Sequence, residues 1–326
     1  MKKLIFVLIF TLSFSVLPVH AASQDAIDAA NTLHDFGLFS GVGTNPDGST
    51  NYDLDRTPTR AEAITMLVRL LGKEDEAKAG SWETPFTDVA DWAKPYVGYA
   101  YTNGLTGGVA SDKFGSSMET SATQYLTFVL RALGYNSSSD FQWDRAWELS
   151  DKLGITNGEY KDSSAFLRGD IVKISMEVLS TPQKDTSESL FSALKNNGTI
   201  TNASSMDLSL TELKVHQFEG TVHFIDSVFV TKTNDGYKFF IYCIDERPYG
   251  VSVFPAEYGD AQHPVSDYPD FKSFVQTDNI KTAVFTLPIS YLIENPLNTD
   301  EIIIKAFHND SENDFSSYSF TISELP

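Results

Sequence analysis

Leu67-Val68-Arg69-Leu70-Leu71-Gly72 returns 62 residues later as Val129-Leu130-Arg131-Ala132-Leu133-Gly134, and a looser copy, Ser175-Met176-Glu177-Val178-Leu179-Ser180, follows 46 residues after that. Each phrase closes an apolar run of helical period. Eight residues before each lies a tetrad in the same register: Thr59-Arg60-Ala61-Glu62, Ser121-Ala122-Thr123-Gln124 and Leu167-Arg168-Gly169-Asp170. Self-similarity held in register is the signature of a repeat architecture. The first tetrad also has a local physical sense. Thr59 can cap a helix start and Glu62 can reach back to close a capping box, after which Ala63, Met66, Leu67, Leu70 and Leu71 line one face. Ser121 and Gln124 repeat the device.

Upstream of each capped helix the pattern predicts another, over residues 26–36, 92–103 and 143–153, each stopped by a glycine (Gly37, Gly104, Gly154). Glycine in the position after a helix accepts the left-handed turn that ends it. The unit is therefore helix, glycine turn, short extended stretch, capped helix, with unequal spacing absorbed by loops such as residues 41–56. A last short helix is expected over 188–195.

Composition sets the outer limits. The chain has 326 residues, and 24 Lys+Arg against 44 Asp+Glu give a net charge of −20. Its length implies about two domains. An acidic chain without a basic cluster is a poor partner for nucleic acid or anionic lipid, so neither is expected. The single cysteine, Cys243, excludes an intramolecular disulfide framework and a cysteine-cluster zinc site; lying in the apolar run Tyr242-Cys243-Ile244, it is expected to be a buried thiol. At the N-terminus, Met1-Lys2-Lys3, an apolar run over 4–17 and Val19-His20-Ala21 read as a secretory signal peptide over 1–21. Export leaves no membrane segment after cleavage, because the run is shorter than the roughly 20 residues that a spanning helix needs.

The second unit carries a family resemblance most fully: Phe86-Thr87-Asp88-Val89, Asp91-Trp92-Ala93, Tyr96-Val97-Gly98-Tyr99-Ala100, Gly104-Leu105-Thr106-Gly107-Gly108, Phe114 and the Leu-Arg-Ala-Leu-Gly ending. With the Thr-Arg-Ala-Glu tetrad of the first unit, the segment resembles three S-layer homology (SLH) repeats, about 24–76, 82–136 and 140–200, within a domain over 22–205. The resemblance implies a mostly α-helical, pseudo-threefold domain. It also implies binding of an anionic, often pyruvylated, secondary cell-wall polysaccharide in grooves between repeats, tethering an exported protein at the cell wall or S-layer without a covalent bond. Carried over by position, the polysaccharide-binding residues are Arg60, Arg168, Asp88 and Trp92, with Glu62 and Asp170 in support. A guanidinium fork suits a carboxylate, and an indole stacks on a sugar face. The alternatives are an Arg60 that only orients the repeat interface and a Trp92 that lies in the core with Tyr96 and Tyr99. The second unit departs from the pattern, with Ala122 and Gln124 in the tetrad. Counting back from the stop glycines sets Asp25 and Gln142 opposite Trp92. One or two working grooves are therefore expected.

Beyond residue 205 tryptophan disappears and β-branched and aromatic alternation takes over. Strands are expected over 208–217, 221–233 (with a hairpin at Asn234-Asp235-Gly236), 237–244, 251–254, 282–287, 301–307 and 318–322, with proline joints at Pro248, Pro255, Pro264 and Pro288. About seven short strands in roughly 120 residues suggest an all-β, immunoglobulin-like sandwich over 206–326. The fold class is thus multidomain, a helical SLH domain followed by a β domain. No nucleophile elbow, zincin or phosphate-loop motif is present, so the expectation is a non-catalytic protein with no cofactor and no metal. The nearest metal signal, Asn45-Pro46-Asp47-Gly48 with Asp53 and Asp55, fails as a calcium loop because Gly43 and Leu54 would fill its first and twelfth positions. His216 and His223 read as strand residues, and Asp245-Glu246-Arg247 as a strand-end turn. The other functions considered are a glycan-acting enzyme, a sugar-binding face of Tyr237, Tyr242 and Tyr249 on the β domain, and S-layer self-assembly without glycan.

Overall fold

A computed structural model describes residues 22–161, 165–202, 206–220, 223–234, 236–244, 250–255, 282–288, 301–307 and 315–326. The expected signal peptide, Asp235, the 245–247 cluster, Pro248, Tyr249 and Pro264 lie outside them.

The first part is helical: α1 Gln24–Asp35, α2 Arg60–Leu70, α3 Glu74–Ala79, α4 Lys94–Thr102, α5 Ala122–Ala132, α6 Ala146–Lys152, α7 Arg168–Ser180 and α8 Leu190–Asn196. The capping box of α2 forms, with Glu62 N–H donating to Thr59 Oγ1 at 3.3 Å and Thr59 N–H to the Glu62 carboxylate at 2.8 Å. Ser121 and Gln124 repeat it at 3.3 and 3.5 Å on α5. On α7, Leu167 has no side-chain oxygen, and only the return bond survives, from Leu167 N–H to Asp170 at 2.8 Å. Ala63, Met66, Leu67 and Leu70 are buried as expected, and Leu71 packs against the same core. The stop glycines Gly104 and Gly154 sit at φ +71° and +63°, where a side chain would be strained. The loop between α1 and α2 carries the small hairpin β1 Gly43–Thr44 and β2 Thr50–Asn51. Asp47 is spent there on the amide and hydroxyl of Ser49.

The three units close on one another. The first turn of α2 donates Arg60 N–H to Met118 O and Ala61 N–H to Ser116 O, both in the second unit. The first turn of α7 donates Arg168 N–H to Arg56 O and Gly169 N–H to Leu54 O, in the first unit. Between the second and third units, the Tyr125 and Ser175 hydroxyls lie 3.1 Å apart, and Tyr125 packs on Phe166. One apolar core runs through all three, from Ala26 to Leu208.

The second part forms two four-stranded antiparallel sheets. One is ordered β3 (Thr211–Leu213), β5 (Ile225–Lys232), β6 (Gly236–Cys243), β8 (Thr282–Pro288). The other is ordered β4 (His216–Glu219), β10 (Phe315–Thr321), β9 (Glu301–Phe307), β7 (Gly250–Pro255). The strand expected over 208–217 divides: Leu208 packs into the helical core, while β3 and β4 join different sheets. The expected hairpin pairs Lys232 with Tyr237. Alternate residues from both sheets share one core, including Val228, Phe239, Ile241, Val253, Ile304 and Phe320, with Phe239 and Phe285 stacked at 4.4 Å. Cys243 is a free, buried thiol in this core, pushed up to about 12 by burial.

The alternation of β6 and β8 leaves Lys238, Phe240, Tyr242 and Val284 on the opposite face. Lys238, Phe240 and Val284 are nonetheless buried, because this face meets the helical part. Tyr242 O–H donates to Thr186 O at 3.1 Å.

Candidate functional site

Arg60 opens α2 and is only 6% exposed. Its Nε donates to Phe114 O at 2.9 Å and its Nη2 to Gly107 O at 2.9 Å, both in the second unit. The guanidinium lies over the Phe114 and Phe128 rings, at 4.9 and 4.7 Å. No carboxylate pairs with it among the described residues. Burial, and after it the positive charge of Arg131, bring its pKa down to about 10. A buried cation without a counter-ion is costly, so Arg60 orients the repeat interface through carbonyls while leaving a positive charge uncompensated.

Arg131, from the last turn of α5, lies beside it. With Gly104, Thr106, Gly107, Gly134 and Ser137 it lines a groove of about 410 Å³. Its Nη2 donates to Ser137 Oγ at 2.8 Å, it has no ion-pair partner among the described residues, and burial lowers its pKa. In a chain of net charge −20, two neighbouring arginines without carboxylates form an anion-seeking spot. Glycines on the wall let a ligand approach the main chain closely.

Repeat register gives the counterparts of this pair in the other two grooves. Between the third and first units they are Arg168 and Arg69. Arg168 is 4% exposed and donates to Tyr52 O at 3.2 Å, as Arg60 does to Phe114 O at the matching position. Arg69, however, is ion-paired with Glu74 at 3.1 Å. That carboxylate is destabilised by burial, but Lys78, Tyr96 and Arg69 outweigh the burial and hold it at about 2. Between the second and third units the counterparts are Ala122 and Glu177, and neither is cationic. The three matching positions therefore differ in charge: Arg60 and Arg131 have no carboxylate, Arg69 is paired with Glu74, and Glu177 is paired with Lys238.

The remaining expected site residues fall in several places. Asp88 is joined to Arg60 through one loop. Its carboxylate accepts from the amides of Phe114 and Gly115, each at 2.8 Å, and more weakly from Ser116, while Phe114 O takes the Arg60 Nε–H. Glu62 is held by both terminal nitrogens of Arg56, at 2.8 and 2.6 Å, besides its capping bonds. Arg56 also pairs with Asp53. Asp170 accepts from Leu167 N–H and Tyr160 O–H and pairs with Lys173. Trp92 is 53% exposed and so lies outside the core that holds Tyr96 and Tyr99. Trp143, which was not singled out, is 62% exposed. A 3₁₀ turn over Trp143–Arg145 precedes α6, so Trp143 lies outside the α-helix expected over 143–153. Arg131 is outside the expected site residues; its recurrence at the place of Arg69 is the sequence signal that marks it. Among the described residues no cluster of His, Cys, Asp and Glu could hold a metal ion.

No family model matches the chain. It is similar to a "Cell surface protein" of Thermoanaerobacter kivui, with 29% identity over 306 residues, covering 87% of this chain and 39% of that protein. It is also similar to a "Middle cell wall protein" of Brevibacillus brevis, 30% identical over 190 residues (53% and 18% of the two chains). A "Surface layer protein" of Brevibacillus choshinensis is 31% identical over 183 residues (51% and 16%). The chain thus spans about two fifths of the first relative's length and less than one fifth of the other two. These likenesses place it at the cell surface. No described helix is long and apolar enough to cross a membrane.

Proposed function

We propose that the chain anchors non-covalently to the cell wall by binding an anionic secondary cell-wall polysaccharide in the Arg131 groove of its second helical unit, beside the Arg60 contact with the first, and displays its β part outward. The observation that carries this reading is Arg131 on the wall of a polar groove, with the buried Arg60 donating to the groove residue Gly107 and neither arginine paired with a carboxylate among the described residues of an otherwise acidic protein. A ketal-linked pyruvyl carboxylate is the ligand group that fits Arg131, since a planar fork grips a carboxylate with two parallel bonds. The closed ring of three units supports an SLH domain over 22–205, and the shared core of the two sheets supports an immunoglobulin-like sandwich over 206–326. In this reading the protein is not an enzyme: its work is attachment.

The test is co-sedimentation of the purified chain with cell walls that carry or lack the anionic polysaccharide. Binding is expected to weaken with salt, because the contact is ionic, to be lost in Arg131→Ala and to persist in Arg69→Ala. Binding unchanged by Arg131→Ala overturns the assignment. A second reading, self-assembly of a surface layer, draws on the likeness to a surface layer protein and on the exposed Trp92 and Trp143. It is favoured if the solution mass rises with concentration in the absence of glycan.

A further inference from the structure

The third groove carries a pattern of its own. Where its two counterparts present arginines, it has Ala122 and Glu177, so an anionic polymer would meet no cation and one negative charge. A cation does enter it, from the other half of the chain. Lys238 projects from β6 on the face opposite the β core and is 2% exposed. Its Nζ donates to Gly154 O at 2.7 Å and to Glu177 Oε2 at 2.8 Å. Gly154 is the stop glycine of the third unit, and a Cβ there would lie 2.7 Å from Val284 Cγ1 on β8. The sheet therefore approaches as closely as the absence of a side chain allows. Phe240 and Val284 are buried although they belong to neither core.

We propose that the face of the third unit at Gly154 and Glu177 is a socket for this chain's own β3–β5–β6–β8 sheet, with Lys238 as the plug. The charge reversal at Glu177, together with the loss of a tetrad arginine at Ala122, turns an anion-seeking position into a cation-accepting one. The buried ammonium holds the sheet at one angle to the ring. An ammonium this deeply buried is tolerable only while both acceptors stay in place, so undocking is cooperative. The inference does not depend on what the first groove binds.

Spin labels at Asp144→Cys on the ring and Asp226→Cys on the sheet, in a Cys243→Ala background without glycan, give the distance between the halves by pulsed electron resonance. The full chain should show one narrow distance. Lys238→Ala and Glu177→Lys should lose that peak to a broad distribution. Glu177→Gln, a small change on a side chain that is 38% exposed, is the variant of choice if the others misfold, and should broaden the peak partially. A broad distribution in the unsubstituted chain, or an equally narrow one in Lys238→Ala and Glu177→Gln, overturns the proposal. Because no polysaccharide is present, neither outcome bears on anchoring.

Discussion

Replacing Glu62 by Gln separates a clamp on the fold from a ligand in the groove. Burial alone would push the Glu62 carboxyl up; Arg56 and the Thr59 amide and hydroxyl outweigh it and hold the group at about 2, below its ordinary 4.5. Its side chain is 24% exposed, so solvent screens the interaction only in part. A depressed carboxyl stabilises the fold above its unfolded pKa and loses that contribution as pH falls through the folded one. At pH 7 the shift of about 2.5 units, at 1.36 kcal/mol each, is worth roughly 3 kcal/mol. At pH 3 somewhat less than half of it remains, and near pH 1 almost none. The assay is urea unfolding followed by tryptophan fluorescence, which reports the helical half alone because all four tryptophans precede residue 205. Glu74 also titrates low, but it does so in both proteins and cancels in the difference. Glu62→Gln should cost about 2–3 kcal/mol at pH 7 and about half as much at pH 3, with wall binding unchanged once the protein is folded. A stability difference independent of pH between 7 and 3 would refute the clamp, as would loss of wall binding in a variant that is fully folded.

Three further outcomes follow from the geometry. Asp88→Ala leaves the amides of Phe114 and Gly115 without their acceptor and loosens the carbonyl that Arg60 grips; a loss of about 1–3 kcal/mol is expected by denaturant melting. Trp92→Ala and Trp143→Ala, on largely exposed indoles, should each shift stability by no more than about 0.5 kcal/mol, and each should remove a component of red-shifted, readily quenched emission. The Cys243 thiol, buried and pushed up to about 12, should resist alkylation at pH 8 in the native chain and react fully in urea; fast native labelling would contradict its placement.

What could be read from the sequence was local. Thr59 with Glu62 and Ser121 with Gln124 are three residues apart, and a capping box needs nothing more distant; the stop glycines are equally short-range. The partners of Arg60 were out of reach, because Gly107 and Phe114 lie 47 and 54 residues along the chain and only closure of the ring brings them near. The same limit hid the roles of Arg131 and Glu177, whose meaning depends on which unit each faces. Trp143 reads from sequence as the first residue of a helix, whereas it lies on a 3₁₀ turn before α6 with its indole exposed. Between residues 208 and 217 the alternation was read correctly as extended chain, but alternation does not state which sheet a strand joins, and two sheets took the two pieces. Lys238 looked like an ordinary hairpin lysine, since nothing nearby in sequence announces that its face is covered.

Closure of the three units on one another carries a consequence for how such a module can change. In an open solenoid each repeat touches only its neighbours, terminal caps shield the ends, and copies are added or removed with little penalty. Here the helix start of the third unit lies on the loop of the first, so the array has no ends to cap. A fourth copy would have no edge to join, and deleting one would strip two interfaces at once. The count is locked at three, and only the individual grooves remain free to diverge in the charge that they present.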